Sequence, residues 1–144
     1  MAQELAEAFF DLLISRSTWF QSVAVEIGVT PIQARTLVEL EPEREQTMSG
    51  VAASARCEPS NLTGIVDKLE ARGLVERRGA TADRRIKMVS LTREGVALRR
   101  RLIARLNEPA PWMVALSAAE QRRLRDLFRA AVAEEKQRSA MSDR

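Results

Sequence analysis

Residues 59–95, PSNLTGIVDKLEARGLVERRGATADRRIKMVSLTREG, decide how this chain folds. The first thirteen residues carry a helical period: Leu62, Ile65, Val66 and Leu69 recur three and four apart, which places them on one face. Gly73 stands where a C-terminal cap belongs. Beyond it the period changes to two. Residues 74–78 read as one strand and 86–91 as another. Between them GATADRR is a polar loop whose Gly and Asp suit a turn. The stretch is therefore a helix followed by a β-hairpin with a basic tip. Thr92 then caps a new helix, with Glu94 in its first turn.

Working outward, Thr47 caps a short helix over 48–56 with Val51, Ala52 and Ala55 turned inward. Thr30-Pro31 opens the helix before it, and Gln33 completes a capping box. Ile32, Leu37 and Leu40 form its apolar face, and Glu41-Pro42 ends it. Residues 3–27 read as one long helix through Leu5, Phe9, Leu12, Leu13, Phe20, Ala24 and Ile27, closed by Gly28. On the other side, the helix after Thr92 carries Val96, Leu98, Leu102, Ile103 and Leu106, and Pro109 and Pro111 stop it. Trp112, in that Pro-bounded loop, reads as a plug between helices. Ser117 with Glu120 caps a last helix whose inward residues are Leu124, Leu127, Phe128, Ala131 and Val132.

Three short helices and a hairpin make a winged helix-turn-helix. The fold class is thus mainly α with a small β-hairpin wing. Residues 29–91 form a DNA-binding lobe. Residues 1–28 and 92–137 are more apolar than that lobe needs, and form a helical dimerisation region built from both chain ends. Residues 138–144 are a polar, flexible tail.

Composition removes other classes. At 144 residues the chain is one domain, large enough to fold without a metal or disulfide staple. It has no His and no Tyr, and its one Cys, Cys57, cannot pair within the chain. The usual zinc spacings and imidazole-based catalysis are excluded, and the carboxylates form no convergent motif. No catalytic residue, metal or cofactor is expected. The N-terminus carries acidic residues where a signal peptide carries Lys or Arg, and no apolar run approaches a membrane span. A cytoplasmic protein with no membrane partner is the expectation.

The charge is uneven. Of 23 basic residues, 20 are Arg and three are Lys. From 72 to 87 stand six basic residues (Arg72, Arg77, Arg78, Arg84, Arg85, Lys87) against two acidic ones (Glu76, Asp83). That window is +4 while the whole chain is +3, so the excess sits on the wing. In a helix-turn-helix the second helix enters the major groove by its N-terminal residues. Here those are Ser60, Asn61, Thr63 and Gly64, with Lys68 one turn on. Hydroxyl and amide side chains suit base edges and phosphates, and Gly64 leaves room for the groove wall. Arg77, Arg78, Arg84, Arg85 and Lys87 supply the wing's phosphate and minor-groove contacts. Asp83 holds Arg84 or Arg85 in position by an ion pair.

These residues carry a resemblance. The pattern T-x-x-V-D-K-L-E-x-x-G-L-V-x-R, then D-R-R, then V-x-L-T-x-x-G, falls on Thr63, Val66 to Glu70, Gly73 to Val75, Arg77, Asp83 to Arg85, Val89, Leu91, Thr92 and Gly95. It resembles the MarR family of bacterial transcription regulators. The resemblance implies an intertwined homodimer on a pseudo-palindromic operator of double-stranded DNA, with recognition helices in major grooves about one turn apart. It implies that Asp83 and Arg85 act together at the wing tip, Arg85 reading the minor groove. It also implies a repressor that often releases DNA when a small aromatic or phenolic effector binds between the dimerisation helices and the DNA-binding lobe.

The hydroperoxide-sensing branch uses an N-terminal Cys with Tyr partners, and a metal-sensing branch needs His or several Cys. This chain has neither set, and Cys57 reads as a packing residue. For an effector, Arg16 and Trp19 offer an anion partner and an aromatic wall, although Trp19 also reads as dimer-core packing. Two other classes remain as alternatives: a winged-helix protein-interaction module that binds no DNA, against which the +4 wing argues, and an enzyme, for which no motif stands.

Overall fold

The helices that open at Pro31, Met48, Arg93 and Ala118 begin where a hydroxyl side chain accepts from a free N–H, while those that open at Ala2, Pro59 and Pro111 begin without a side-chain cap. In the computed structural model, which describes residues 1–79 and 87–142, α1 spans Ala2–Ile27 and ends at Gly28 in the left-handed region (φ 84). Thr30 caps α2 (Pro31–Glu39) in a full capping box with Gln33. Thr47 caps α3 (Met48–Ala55), and Pro59 opens α4 (Pro59–Ala71). The wing follows, formed by β2 (Val75–Gly79) and β3 (Lys87–Leu91), after β1 (Gln46–Thr47) earlier in the chain. Thr92 caps α5 (Arg93–Leu106). The short α6 (Pro111–Ala115) precedes α7 (Ala118–Ser142), which opens on the expected Ser117–Glu120 box.

The chain divides into two units, residues 1–107 and 108–144. The first holds the core. Val23 and Ala24 of α1, Leu37 of α2 with Leu40 just after it, Val51 and Ala52 of α3, Leu62, Val66 and Leu69 of α4, Leu74, Val75 and Val89 of the wing and Leu102 of α5 form one buried cluster. The sheet is antiparallel in the order β1-β3-β2, with Arg77 opposite Val89 and Gly79 opposite Lys87. In the second unit α6 and α7 border an apolar depression of about 570 Å³ lined by Met113, Leu116, Leu124 and Phe128.

Three arginines tie helices of the first unit end to side. Arg72 donates to the Gly28 carbonyl (2.9 Å), Arg99 to the Leu37 and Val38 carbonyls (3.1 and 3.0 Å), and Arg16 to the Leu106 carbonyl (3.0 Å). A helix C-terminus leaves carbonyls unpaired and carries a negative dipole end, so a guanidinium is a fitting partner.

The structure departs from the sequence reading in four places. β1 pairs Gln46 with Val89 and makes the expected two-stranded hairpin a three-stranded sheet. Residues 111–115, read as part of a loop, form α6, which carries a half-buried Trp112. Helix α7 continues to Ser142, past the start of the expected tail. Ile32 does not join the α2 core face: it is 39% exposed, while Leu37 and Leu40 are fully buried.

The joint between wing and α5 is the tightest point. Thr92 donates its N–H to the Leu74 carbonyl (3.1 Å) and its hydroxyl to the Gly73 carbonyl (2.6 Å), while accepting from the Gly95 N–H (3.1 Å). A side-chain carbon on Gly95 would overlap the Leu74 carbonyl, a backbone atom that cannot swing aside. Gly95→Ala should therefore destabilise the protein by about 1–3 kcal/mol or more, the usual cost of overpacking. Urea unfolding measures it, and an unchanged midpoint would contradict the close approach.

Candidate nucleic-acid interface

Helix α4 buries Leu62, Val66 and Leu69 and turns its other faces outward. Ser60, Asn61, Thr63, Gly64 and Lys68 are all exposed, as the sequence reading expects. They border two depressions. Thr63 shares the first, of about 520 Å³, with Met48 of α3 and with Arg77, Arg78, Gly79 and Lys87 of the wing. Asn61, Gly64 and Lys68 share the second, of about 380 Å³, with Ile32 and Ile65. Four of the expected wing and helix contacts thus converge on one concave surface, and three more on another. No described residue stands within 4 Å of where a side-chain carbon on Gly64 would lie, so its smallness answers no packing need among the described residues.

The wing arginines differ in what they do. Along β2 the side chains alternate, so Val75 and Arg77 face one way and Glu76 and Arg78 the other. Arg77 turns toward α4. Two donors of its fork share one Glu70 carboxylate oxygen (Nη2 to Oε2 2.6 Å, Nε to Oε2 3.0 Å), and Nη2 also lies 2.6 Å from Asp67 Oδ1. The Arg77 backbone N–H completes the set on Glu70 Oε1 at 3.1 Å. Hydrogen bonds from the Arg77 side chain hold the Glu70 carboxyl below its usual range, and the Glu70 partnership raises Arg77 in turn. Arg77 is thus a brace between recognition helix and wing, where the sequence reading made it a DNA contact. Arg78 faces out, paired with Glu76 at 3.0 Å and 4.0 Å from Glu45. Lys87 is exposed at the start of β3. Asp83, Arg84 and Arg85, the expected tip residues, lie outside the described residues.

The brace needs Asp67 and Glu70, which the sequence reading did not single out as a pair. Their signal is an acid pair three residues apart on one helix face, directly before a strand that carries Arg. Elsewhere, Arg16 is engaged with the Leu106 carbonyl, and Trp19 packs against the core with the Arg105 guanidinium 4.6 Å over its ring. Trp19 Nε1 is buried without a hydrogen-bond partner among the described residues. Cys57, in the α3–α4 turn, is half-buried against the core.

With this geometry in hand, the comparisons with known proteins are direct. The model of the MarR family matches residues 29–87, the stretch from α2 to the start of β3. Over those residues the chain is similar to the MarR family. It is similar to the HTH-type transcriptional repressor MdtR of Bacillus subtilis, 34% identical over 92 residues that make up 59% of each chain. The match thus spans less than two thirds of that relative's length. Among solved structures, the YusO protein of Bacillus subtilis superposes with a TM-score of 0.74 at 25% identity over 92% of this chain and 94% of that one. A variant of S. aureus MepR bound to an oligodeoxyribonucleotide has the same fold (TM-score 0.65, 17% identity, 90% and 96% covered). The chain thus has the winged-helix fold of these proteins, mostly helical with a small antiparallel sheet.

The brace has a pH signature. A carboxyl held below its ordinary value of 4.5 stabilises the fold fully above that value and loses the contribution as pH falls through its depressed one. Glu70→Gln should cost up to about 1 kcal/mol near neutral pH, as for an exposed ion pair. The difference from wild type should shrink at a pH well below 4.5, as pH falls through the lowered value. Denaturant unfolding at both values tests this, and an equal difference at both would remove the charge from the explanation.

Proposed function

We propose that this chain is a sequence-specific, double-stranded-DNA-binding transcriptional repressor that grips a pseudo-palindromic operator as a homodimer in the cytoplasm. The observation that carries the reading is the concave surface between α4 and the wing, lined by Thr63, Arg77, Arg78 and Lys87. A phosphate strand fits between a helix in the major groove and a wing reaching to the neighbouring minor groove. The oligonucleotide on MepR, a protein of the same fold, supports it. In this reading Ser60, Asn61, Thr63, Gly64 and Lys68 contact base edges and backbone. Arg78 and Lys87 contact phosphate, and Arg84 and Arg85 reach the minor groove with Asp83 orienting them. Arg77 positions the wing.

The dimer reading assigns residues 1–28 and 92–137 to assembly. In the first unit Leu5, Phe9, Phe10, Leu13 and Ile14 of α1 are exposed, and in the second Leu127, Phe128 and Val132 of α7 are. Each is an apolar helix face that a second copy of the chain would cover. Release by a small aromatic effector is supported by Trp19. Its unpaired Nε1–H is a buried donor, and a phenol or aromatic carboxylate would supply the acceptor.

Fluorescence anisotropy with the duplex that flanks the protein's own gene tests the core of this. Two chains should bind per duplex, with affinity falling steeply in salt. Lys87→Ala should weaken binding and lower the salt slope by about one per protomer, while Arg85→Ala should cost about 1–3 kcal/mol. Binding that ignores both substitutions and salt would overturn the reading in favour of a protein-interaction module.

Gly64→Ala separates fold from function. An exposed helical Gly replaced by Ala gains about 1 kcal/mol of stability, and the added methyl projects from the groove-facing side of α4. The variant should melt higher and bind DNA more weakly. Unchanged binding would show that Gly64 does not face the duplex.

A further inference from the structure

Ile32 is out of place by the logic of its own helix. It stands at the second residue of α2, where the apolar pattern assigns it to the core, yet it is 39% exposed. A single exposed Ile is ordinary, so the exposure alone means little. Its neighbours give it meaning. Ile32 borders the depression that also holds Asn61, Gly64, Ile65 and Lys68 of α4. Asn61, Gly64 and Lys68 are spaced three and four apart, hence on one helix face. An apolar pair thus sits beside an amide, a bare backbone position and a cation, on the side of α4 read above as facing the duplex.

We propose that Ile32 and Ile65 form a specificity-determining contact for the C5-methyl group of thymine in the major groove. The inference rests on the DNA-binding reading of α4. Thymine alone among the four bases presents a methyl there, and apolar side chains are its recognised partners. Isoleucine offers no donor or acceptor, so it distinguishes bases by that methyl only. Asn61, next to the pair, has the donor and acceptor that match the N6 and N7 edge of adenine. Gly64 lets the bases approach the floor of the depression, and Lys68 supplies a cation for the flanking backbone. Together these groups read an A·T step in each half-site.

The test uses the full-length protein and a library of random 30-base-pair duplexes. The best-enriched duplex is resynthesised with 2′-deoxyuridine in place of thymidine, one position per half-site at a time. Uracil removes the methyl and leaves every hydrogen-bonding group. At one thymine position in each half-site, uracil should weaken wild-type binding about fourfold, the effect of exposing one methyl-sized group. Ile32→Ala should bind the thymine duplex more weakly than wild type and discriminate thymine from uracil less, the remainder being carried by Ile65. Its fold is checked by thermal melting, and the partial exposure of Ile32 makes the loss small. If no thymine position is sensitive, or if Ile32→Ala discriminates as strongly as wild type, the methyl contact is wrong while DNA binding stands. If no sequence is enriched at all, the DNA-binding reading falls and this inference with it.

Discussion

Everything about the interface depends on the angle between one helix and one hairpin, and Arg77 sets that angle. The hairpin is joined to α4 through Arg72, Gly73 and Leu74, a short connection with Gly73 at φ 67. Burial of Leu74, Val75 and Val89 anchors its base. Beyond the base, Arg77 takes over, its planar fork shared between Glu70 and Asp67. A guanidinium fixes direction as well as distance, because its donors lie in one plane. A lysine in its place would keep the charge and lose the orientation. The backbone N–H of Arg77 on the same Glu70 carboxyl ties the strand itself, and not only a side chain, to the helix.

That brace changes how the charge should be counted. Along the sequence the wing is +4, but Asp67 and Glu70 stand before the counted window and pair with an arginine inside it. Glu76 and Glu45 face Arg78 in the same way. Arg72 is turned to the Gly28 carbonyl. Three of the window's six cations are therefore engaged within the chain. Lys87 at the strand start has no carboxylate partner among the described residues, and Lys68 on α4 stands exposed just before the window. Arg78, exposed and paired only at the surface, can exchange its carboxylates for phosphate at little cost, because such pairs are weak in water.

Most of the fold was legible because its boundaries are chemical. Thr30 with Gln33, Thr47, Thr92, and Ser117 with Glu120 are caps that a sequence displays openly, and the structure uses each of them. What escaped lacks a local cause. The two residues of β1 have no period to detect, and they are a strand only because β3 lies beside them. Helix α6 is five residues long, shorter than any periodic signal, and is opened by the same proline that reads as a stop. Ile32 lies at the start of α2, where Val29, Gln33 and Ala34 are buried and Ile32 itself turns to the depression beside α4. The exposure of Ser60, Asn61, Thr63, Gly64 and Lys68 on one helix was legible from its apolar stripe. The division of labour among the arginines was not, since it turns on which strand face each occupies and on carboxylates from another element.

Two glycines in the deciding stretch show how fold and function separate. Gly95 is required from within: the Leu74 carbonyl occupies the space a side chain would need. Gly64 has no such reason. It lies in the middle of α4, where glycine is about 1 kcal/mol worse than alanine, and the space around it is open. A residue that weakens its own helix without relieving any internal crowding points to a surface that must come close from outside. The flanking Asn61 and Lys68 give that surface its chemistry, polar at its edge and negative along its border. A groove wall of DNA has both properties, and it is the backbone of α4 at Gly64 that such a wall would approach most closely.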